Sequence, residues 1–303
     1  MKKIILFLFI ITFNWSNAFS QSKLAFYEDS LKRLGTIITN DTIERNRVEA
    51  NYKFVKTLVS ALKEKYSYNY PFDELNDFIS QKRSEDSKFR IFTWFVQSDD
   101  GTYRYYGAMQ LNNPKELELY PLIDNSQNLK LTTNLSDTTL QTNQWWGSVY
   151  YQVISLNSLK NPYYILLGWK GIDLQSSSKV IETLYFKDGK PVFGVPALEV
   201  KPKTNLFAKR MIFNYTKDAS MLLRYAKDDQ LLVFDHLVPP SDKVIGMKEL
   251  YAPDLSYDGY KLKSGKWYLH ENLKLKNLPD EEADELFIDP AKDSQNTNPM
   301  IKQ

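Results

Sequence analysis

The sequence predicts an α+β protein in which N-terminal helices pack on a mainly antiparallel β meander, closed as a curled sheet, a barrel or a sandwich. Apolar residues recur at intervals of three and four before Lys88 and alternate after it. Past that point, short aromatic and β-branched runs are joined by Asp100-Gly101, Asp188-Gly189 and Ser264-Gly265, which is hairpin spacing. The chain also carries 20 Tyr, 17 Phe and 6 Trp against 11 Gly, a mixture suited to half-buried pleated surfaces.

The N-terminus reads Met1-Lys2-Lys3, an apolar run from Ile4 to Phe13, and small residues at Ala18 and Ser20. This is the pattern of a signal peptide over residues 1–20, with cleavage after Ser20 and export to the periplasm or the cell exterior. Asn14 and Asn17 interrupt the run well short of the roughly 20 apolar residues a membrane helix needs. No transmembrane segment is therefore expected after signal cleavage. The chain divides further into a helical region at 21–86, an antiparallel β domain at 87–279 and a tail at 280–303. That tail is acidic and then rich in Ser, Gln, Asn and Pro, the composition of a disordered segment.

Two helices are expected before Lys65. The first carries Leu24, Leu31, Leu34 and Ile38, and Asn40-Asp41 breaks it from the second. Asp41 followed by Glu44 has capping-box spacing, and Val48, Tyr52, Val55, Val59 and Leu62 then form an apolar stripe. A third, shorter helix is expected after Pro71, with Phe72, Leu75, Phe78 and Ile79 on one face. Strand runs follow at residues 89–96, 102–106, 145–156, 163–169, 180–187, 191–195, 210–215, 221–226, 231–236, 261–263 and 266–271. Short polar turns between them favour pairing of consecutive strands. So many strands call for curling, closure or division into layers.

Composition excludes several classes. The formal net charge of +2 resides in Lys2 and Lys3, because residues 1–20 contain no acid, so the remainder is balanced. Nucleic-acid binding needs a basic surplus that this chain lacks. Without cysteine there is no disulfide, no thiol nucleophile and no lipid-bearing Cys after the signal. His236 and His270 are the only histidines, too few for a three-histidine zinc site, and no HExxH, GxSxG, P-loop or dinucleotide fingerprint occurs. No cofactor is expected.

Several segments resemble an uncharacterised family of exported Bacteroidota proteins. They are residues 89–106, 163–171 (YYILLGWKG), 186–194 (FKDGKPVFG), 233–237 (VFDHL) and 252–258 (APDLSYD). The resemblance spans most of the chain after Lys88. Family members more often carry a Trp-Asp pair and a Gly-Gly-Thr turn where this chain has Trp94-Phe95 and Asp100-Gly101-Thr102. It implies an envelope address and brings no activity or catalytic residues.

Candidate site residues are few. Asp235-His236 looks like part of a triad, but neighbours on a strand face opposite sides, so one cannot orient the other. Asp254 to Gly259 matches the opening of an EF-hand-like loop, yet Gly265 stands where the closing acid belongs. Trp145-Trp146 and Tyr150-Tyr151 could each expose one ring as a sugar or peptide platform. Asp99, Asp100, Asp173, Asp188, Asp228 and Asp229 fall at turns. If a functional site exists, it is expected in the connections 235–242 and 253–259, with Asp235, His236, Asp254 and Asp258 as binding residues. The functional expectation is a non-enzymatic envelope protein that binds a protein or glycan. The alternative is a carbohydrate-directed or other hydrolase using loop carboxylates.

Overall fold

The computed structural model describes residues 22–274 except Thr133 and Ser158; the expected signal peptide and the 280–303 tail lie outside the described residues. Helix α1 (22–40) and helix α2 (Glu44–Leu62) are followed by strands β1 (Ser80–Arg83), β2 (Phe89–Gln97), β3 (Tyr103–Leu111) and β4 (Leu119–Ile123), which form one antiparallel sheet in chain order. A short helix α3 (Ser126–Thr132) leads to the second sheet. Its strands are β5 (Leu140–Gln141), β6 (Val149–Leu156), β7 (Tyr163–Gly171), β8 (Ser176–Lys187) and β9 (Lys190–Phe193), in the order β5-β9-β8-β7-β6. The third sheet holds β10 (Leu198–Glu199), β11 (Phe207–Ala208), β13 (Leu223–Ala226), β14 (Leu231–Val238), β15 (Ala252–Lys263) and β16 (Lys266–His270), while β12 (Arg210–Thr216) returns to pair with β8.

Side-chain alternation shows how these pieces stack. On β2, Phe89 and Ile91 face the second sheet while Phe92, Trp94 and Val96 face the helices, packing with Leu31, Phe54 and Leu58. On β7, Tyr164 and Leu166 face the first sheet while Tyr163, Ile165, Leu167 and Trp169 meet Leu232, Phe234, Tyr260 and Trp267 of the third. The layers therefore run helices, first sheet, second sheet, third sheet. The middle sheet is covered on both faces, which is why every residue of β7 is buried and why it reads as one apolar run. Along one edge β1 lies against β6, where Ser80 Oγ donates to Tyr150 O at 2.5 Å and Tyr150 N to Thr93 Oγ1 at 3.0 Å. The first two sheets thus curl around their shared core as a half-barrel.

The expected hairpins form where local turn chemistry dictates. Asp188 and Gly189 both have positive φ (51° and 77°), the geometry of a type I′ turn between β8 and β9. Ser264-Gly265 does the same between β15 and β16.

Other expectations are corrected. No side chain caps α2: Asp41 Oδ1 accepts from Ile43 N at 2.8 Å, and Glu44 reaches across to Asp99 N instead of completing a capping box. The buried face of α2 is Arg47, Ala50, Asn51, Phe54, Leu58, Ala61 and Leu62, so Val48 and Tyr52 of the expected stripe are exposed. Tertiary hydrogen bonds decide this. The Arg47 guanidinium donates to Gln97 O and pairs with Asp99 at 2.7 Å, and Trp94 Nε1 donates to Asn51 Oδ1 at 2.7 Å. The third helix after Pro71 is replaced by one 3-10 turn at Asp73–Leu75 and then β1, because Phe72 takes left-handed backbone (φ 52°). Phe72, Leu75 and Ile79 are buried all the same. Strand structure thus begins at Ser80, ahead of the 86/87 boundary.

Candidate functional site

Strands β14 and β15 pair regularly from Leu231↔Lys261 to Asp235↔Tyr257, and the register then jumps to Leu237↔Pro253. The extra residues of β15 form a bulge around Asp254, Leu255 and Ser256, with Leu255 in left-handed backbone (φ 71°). Asp254 Oδ1 holds that shape by accepting from Ser256 N at 2.9 Å and Ser256 Oγ at 2.6 Å. These contacts keep its carboxyl below the usual range. The stretch that resembled the start of a calcium loop is a bulged strand. No group of three or more His, Asp and Glu among the described residues could hold a metal ion.

Asp235 and His236 do face opposite sides. Asp235 Oδ2 accepts from Leu222 N at 2.7 Å, toward β13. His236 turns instead to Asp258, which lies across the ladder opposite Phe234 and so shares its face. Its Nδ1 is 2.7 Å from Asp258 Oδ2, and Asp258 Oδ1 accepts Asn272 N at 2.9 Å. The imidazole is partly open to solvent, with 38% of its side chain exposed, whereas Asp258 is nearly enclosed. The hydrogen bond to Asp258 raises the His236 pKa against the opposing effect of burial, and the charges of Asp258, Asp254 and Glu271 add to it. A raised histidine pKa means that the pair stabilises the fold fully below pH 6.5 and that this contribution is lost as pH rises through the folded value. In Asp258→Asn the imidazole should titrate lower than in the parent, as followed by ring-proton NMR. A titration unchanged from the parent would remove Asp258 as its partner.

This pair sits at an exposed end of the outer sheet. After Val238↔Ala252 the chain makes a long connection with turns at Asp242–Val244 and Lys248–Leu250, anchored by Gly246 N to Tyr251 Oη and by Thr216 N to Tyr251 O. Ile245 is 67% exposed, Met247 49% and, on the bulge, Leu255 89%. The chain leaving β16 also passes here, with Leu273 N donating to Tyr257 O at 2.7 Å.

The structure does not bring the aromatic candidates to this place. Trp145 and Trp146 are both buried, as are Tyr150 and Tyr151, so these pairs pack in the core and neither exposes a ring as a platform. Trp145 precedes β6: it bridges the end of β4 at Asp124 and donates its Nε1 to Tyr150 Oη at 2.9 Å. Tyr151 is the extra residue of a bulge in β6, which sends Tyr150 to one core and Tyr151 to the other. Layers on both sides leave no free face for a ring. Among the turn acids, Asp100 accepts from Thr102, Asp173 from Gln175 and Ser176, and Asp99 pairs with Arg47.

Several buried charged residues escaped the sequence reading, among them Lys170 and the Glu182–Arg210 pair. Lys170 is enclosed, with Nζ donating to Trp146 O at 2.9 Å and Gly147 O at 2.8 Å and lying 4.1 Å from the Tyr105 ring centre. Burial pushes its pKa down to about 7, which the charge of Asp124 only partly opposes. Glu182 and Arg210, paired across β8 and β12, are both fully buried and bond through Nε at 3.0 Å. Lone charges inside the runs YYILLGWKG and VIETLYF were the available signal. Both lie deep in the stack and serve architecture.

No protein-family model, curated protein or solved structure matches this chain.

Proposed function

We propose that this is an exported, non-enzymatic envelope protein that binds a protein partner through the bulged end of its outer sheet. The observation that carries the reading is the exposure of Ile245, Met247 and Leu255 at the sheet end that also holds the partly open His236–Asp258 pair. Apolar side chains beside polar groups that are already satisfied make an interface centre and its rim. A protein fits this surface better than a glycan, because Trp145, Trp146, Tyr150 and Tyr151, the rings considered for stacking on a sugar, are buried in the cores and the exposed side chains here are aliphatic. The exported address rests on the N-terminal pattern and on the family resemblance. No helix among the described residues is long and apolar enough to cross a membrane.

Affinity capture from the envelope of producing cells tests this. Leu255→Asp and Ile245→Asp should each weaken capture of the same partner by roughly 5- to 100-fold, the loss of a 1–3 kcal/mol anchor, with the thermal midpoint unchanged. Capture that survives both changes would place the surface elsewhere.

One observation favours a second reading, a hydrolase. A histidine held 2.7 Å from a carboxylate, with its ring partly exposed, has the geometry of a general base and its orienter. On that reading His236→Ala abolishes turnover outright, whereas a docking surface loses only part of its affinity.

A further inference from the structure

We propose that the partner docks by adding an extended segment of its own chain to the free edge of β12, pairing with Ile212 and Asn214. The inference rests on reading the bulged end of the outer sheet as a docking surface, and it names the mode of recognition there.

Hydrogen-bond parity is the first argument. In an antiparallel ladder, alternate residues direct both backbone groups to the same neighbouring strand. Gly194 N donates to Thr183 O and Lys217 N to Gln175 O, so the odd-numbered residues of β8 face β9 and β12. Their partners on β12 are Met211, Phe213 and Tyr215. Ile212, Asn214 and Thr216 therefore point away from β8. Thr216 N meets Tyr251 O at 2.9 Å, whereas the backbone N–H and C=O groups of Ile212 and Asn214 have no hydrogen-bond partner among the described residues.

The lack of edge protection is the second argument. Strand edges are ordinarily blunted by proline, charge or a covering element. On β4, Leu111 N donates to Glu118 O, which leaves Leu119, Pro121 and Ile123 pointing outward. Pro121 has no N–H to offer, and Ile123 O is taken by Trp145 N. Across Met211-Ile212-Phe213-Asn214, β12 has neither proline nor charge, and all four residues are half-buried. The chain closes this edge only at its ends, where Lys209 N donates to Ser136 O and Thr216 N to Tyr251 O. Between them the unpaired stretch is about 7 Å long. A single extended segment fits it better than the edge of a second copy, which is bracketed in the same way.

The edge is continuous with the docking surface, because Tyr251 ends the connection that exposes Ile245 and Met247. A bound segment offers main chain to Ile212 and Asn214. Its central side chain falls on the face of Phe213, whose ring centre is 4.7 Å from that of Phe234, so an apolar residue suits that position. This is recognition by strand addition.

Amide exchange followed by NMR on the unaltered chain is the first test. Alone, Ile212 and Asn214 should exchange at least about 100-fold faster than Met211, Phe213 and Tyr215, whose amides belong to the ladder. With the captured partner bound, they should slow to the rates of those neighbours. In affinity capture, Ile212→Pro removes an outward N–H and spares the ladder, as Pro121 does on β4, and should lower capture by about tenfold. Ile212→Ala shortens the side chain but keeps the N–H, and should retain most of it. Equal protection of all five amides in the free chain would overturn the proposal. So would protection that appears on concentrating the chain alone, which assigns the edge to a second copy. Capture lost in Leu255→Asp but kept in Ile212→Pro would leave the docking surface standing and remove the added strand. An open edge with no capture at all would remove the docking surface, and this proposal with it.

Discussion

Arg210→Met should destabilise the fold by about 3–5 kcal/mol, the cost of leaving a buried charge without its partner. Both side chains are fully enclosed, and Glu182 presents its two oxygens to one nitrogen of the guanidinium. Arg210 Nη1 also donates to Leu135 O and to Thr138 O, pinning the 135–138 segment to the middle sheet. Its Nη2 has no hydrogen-bond partner among the described residues. The pair is therefore incompletely satisfied, the situation in which apolar replacement of both members recovers stability. Glu182→Leu with Arg210→Met should regain most of the loss, though the freed Leu135 and Thr138 carbonyls hold it below the parent. Urea unfolding of parent, single and double variants reads this. A single variant losing under about 1 kcal/mol would mean that the pair behaves like an exposed one.

Lys170 should make stability rise with pH. Its folded pKa of about 7 lies below the unfolded 10.5, so between these values the unfolded chain binds more protons. Stability then increases with pH across that window, by at most about 1.4 kcal/mol per unit. The gain is largest from pH 7 to about 9.5, before tyrosines ionise in the unfolded chain. Lys170→Met removes the slope and orphans the Trp146 and Gly147 carbonyls, at about 1–3 kcal/mol. The parent's advantage over the variant should therefore widen from pH 7 to 9.5. Parallel stability curves over that range would show that the amine is solvated.

The hairpins were legible in the sequence because Asp188-Gly189 and Ser264-Gly265 fix local backbone regardless of distant contacts. Layering was legible only as a need, since strand alternation says which residues share a face but not what covers it. Trp145 and Trp146 both enter the core between the first and second sheets, because they lie in the irregular segment before β6, where neighbouring residues need not alternate. The face of α2 was misread because Arg47 and Asn51 point inward to satisfy Gln97 O and Trp94 Nε1, partners far along the chain. His236 and Asp258 were each identifiable as polar groups near strand ends. Their pairing was not, because it depends on cross-strand register. Nor could the pattern give the return of β12 to β8 or the parallel contact of β10 with β16.

The docking surface can be tested directly in producing cells by placing a photo-crosslinking amino acid at Leu255 or Met247, with Val48 and Tyr52, exposed on helix α2 in the opposite outer layer, as controls. Irradiation should give one discrete adduct heavier than the chain from the two sheet-end positions and none from the controls. Adducts from the controls alone, or the same adducts from all four positions, would contradict a partner surface at the bulged end of the outer sheet.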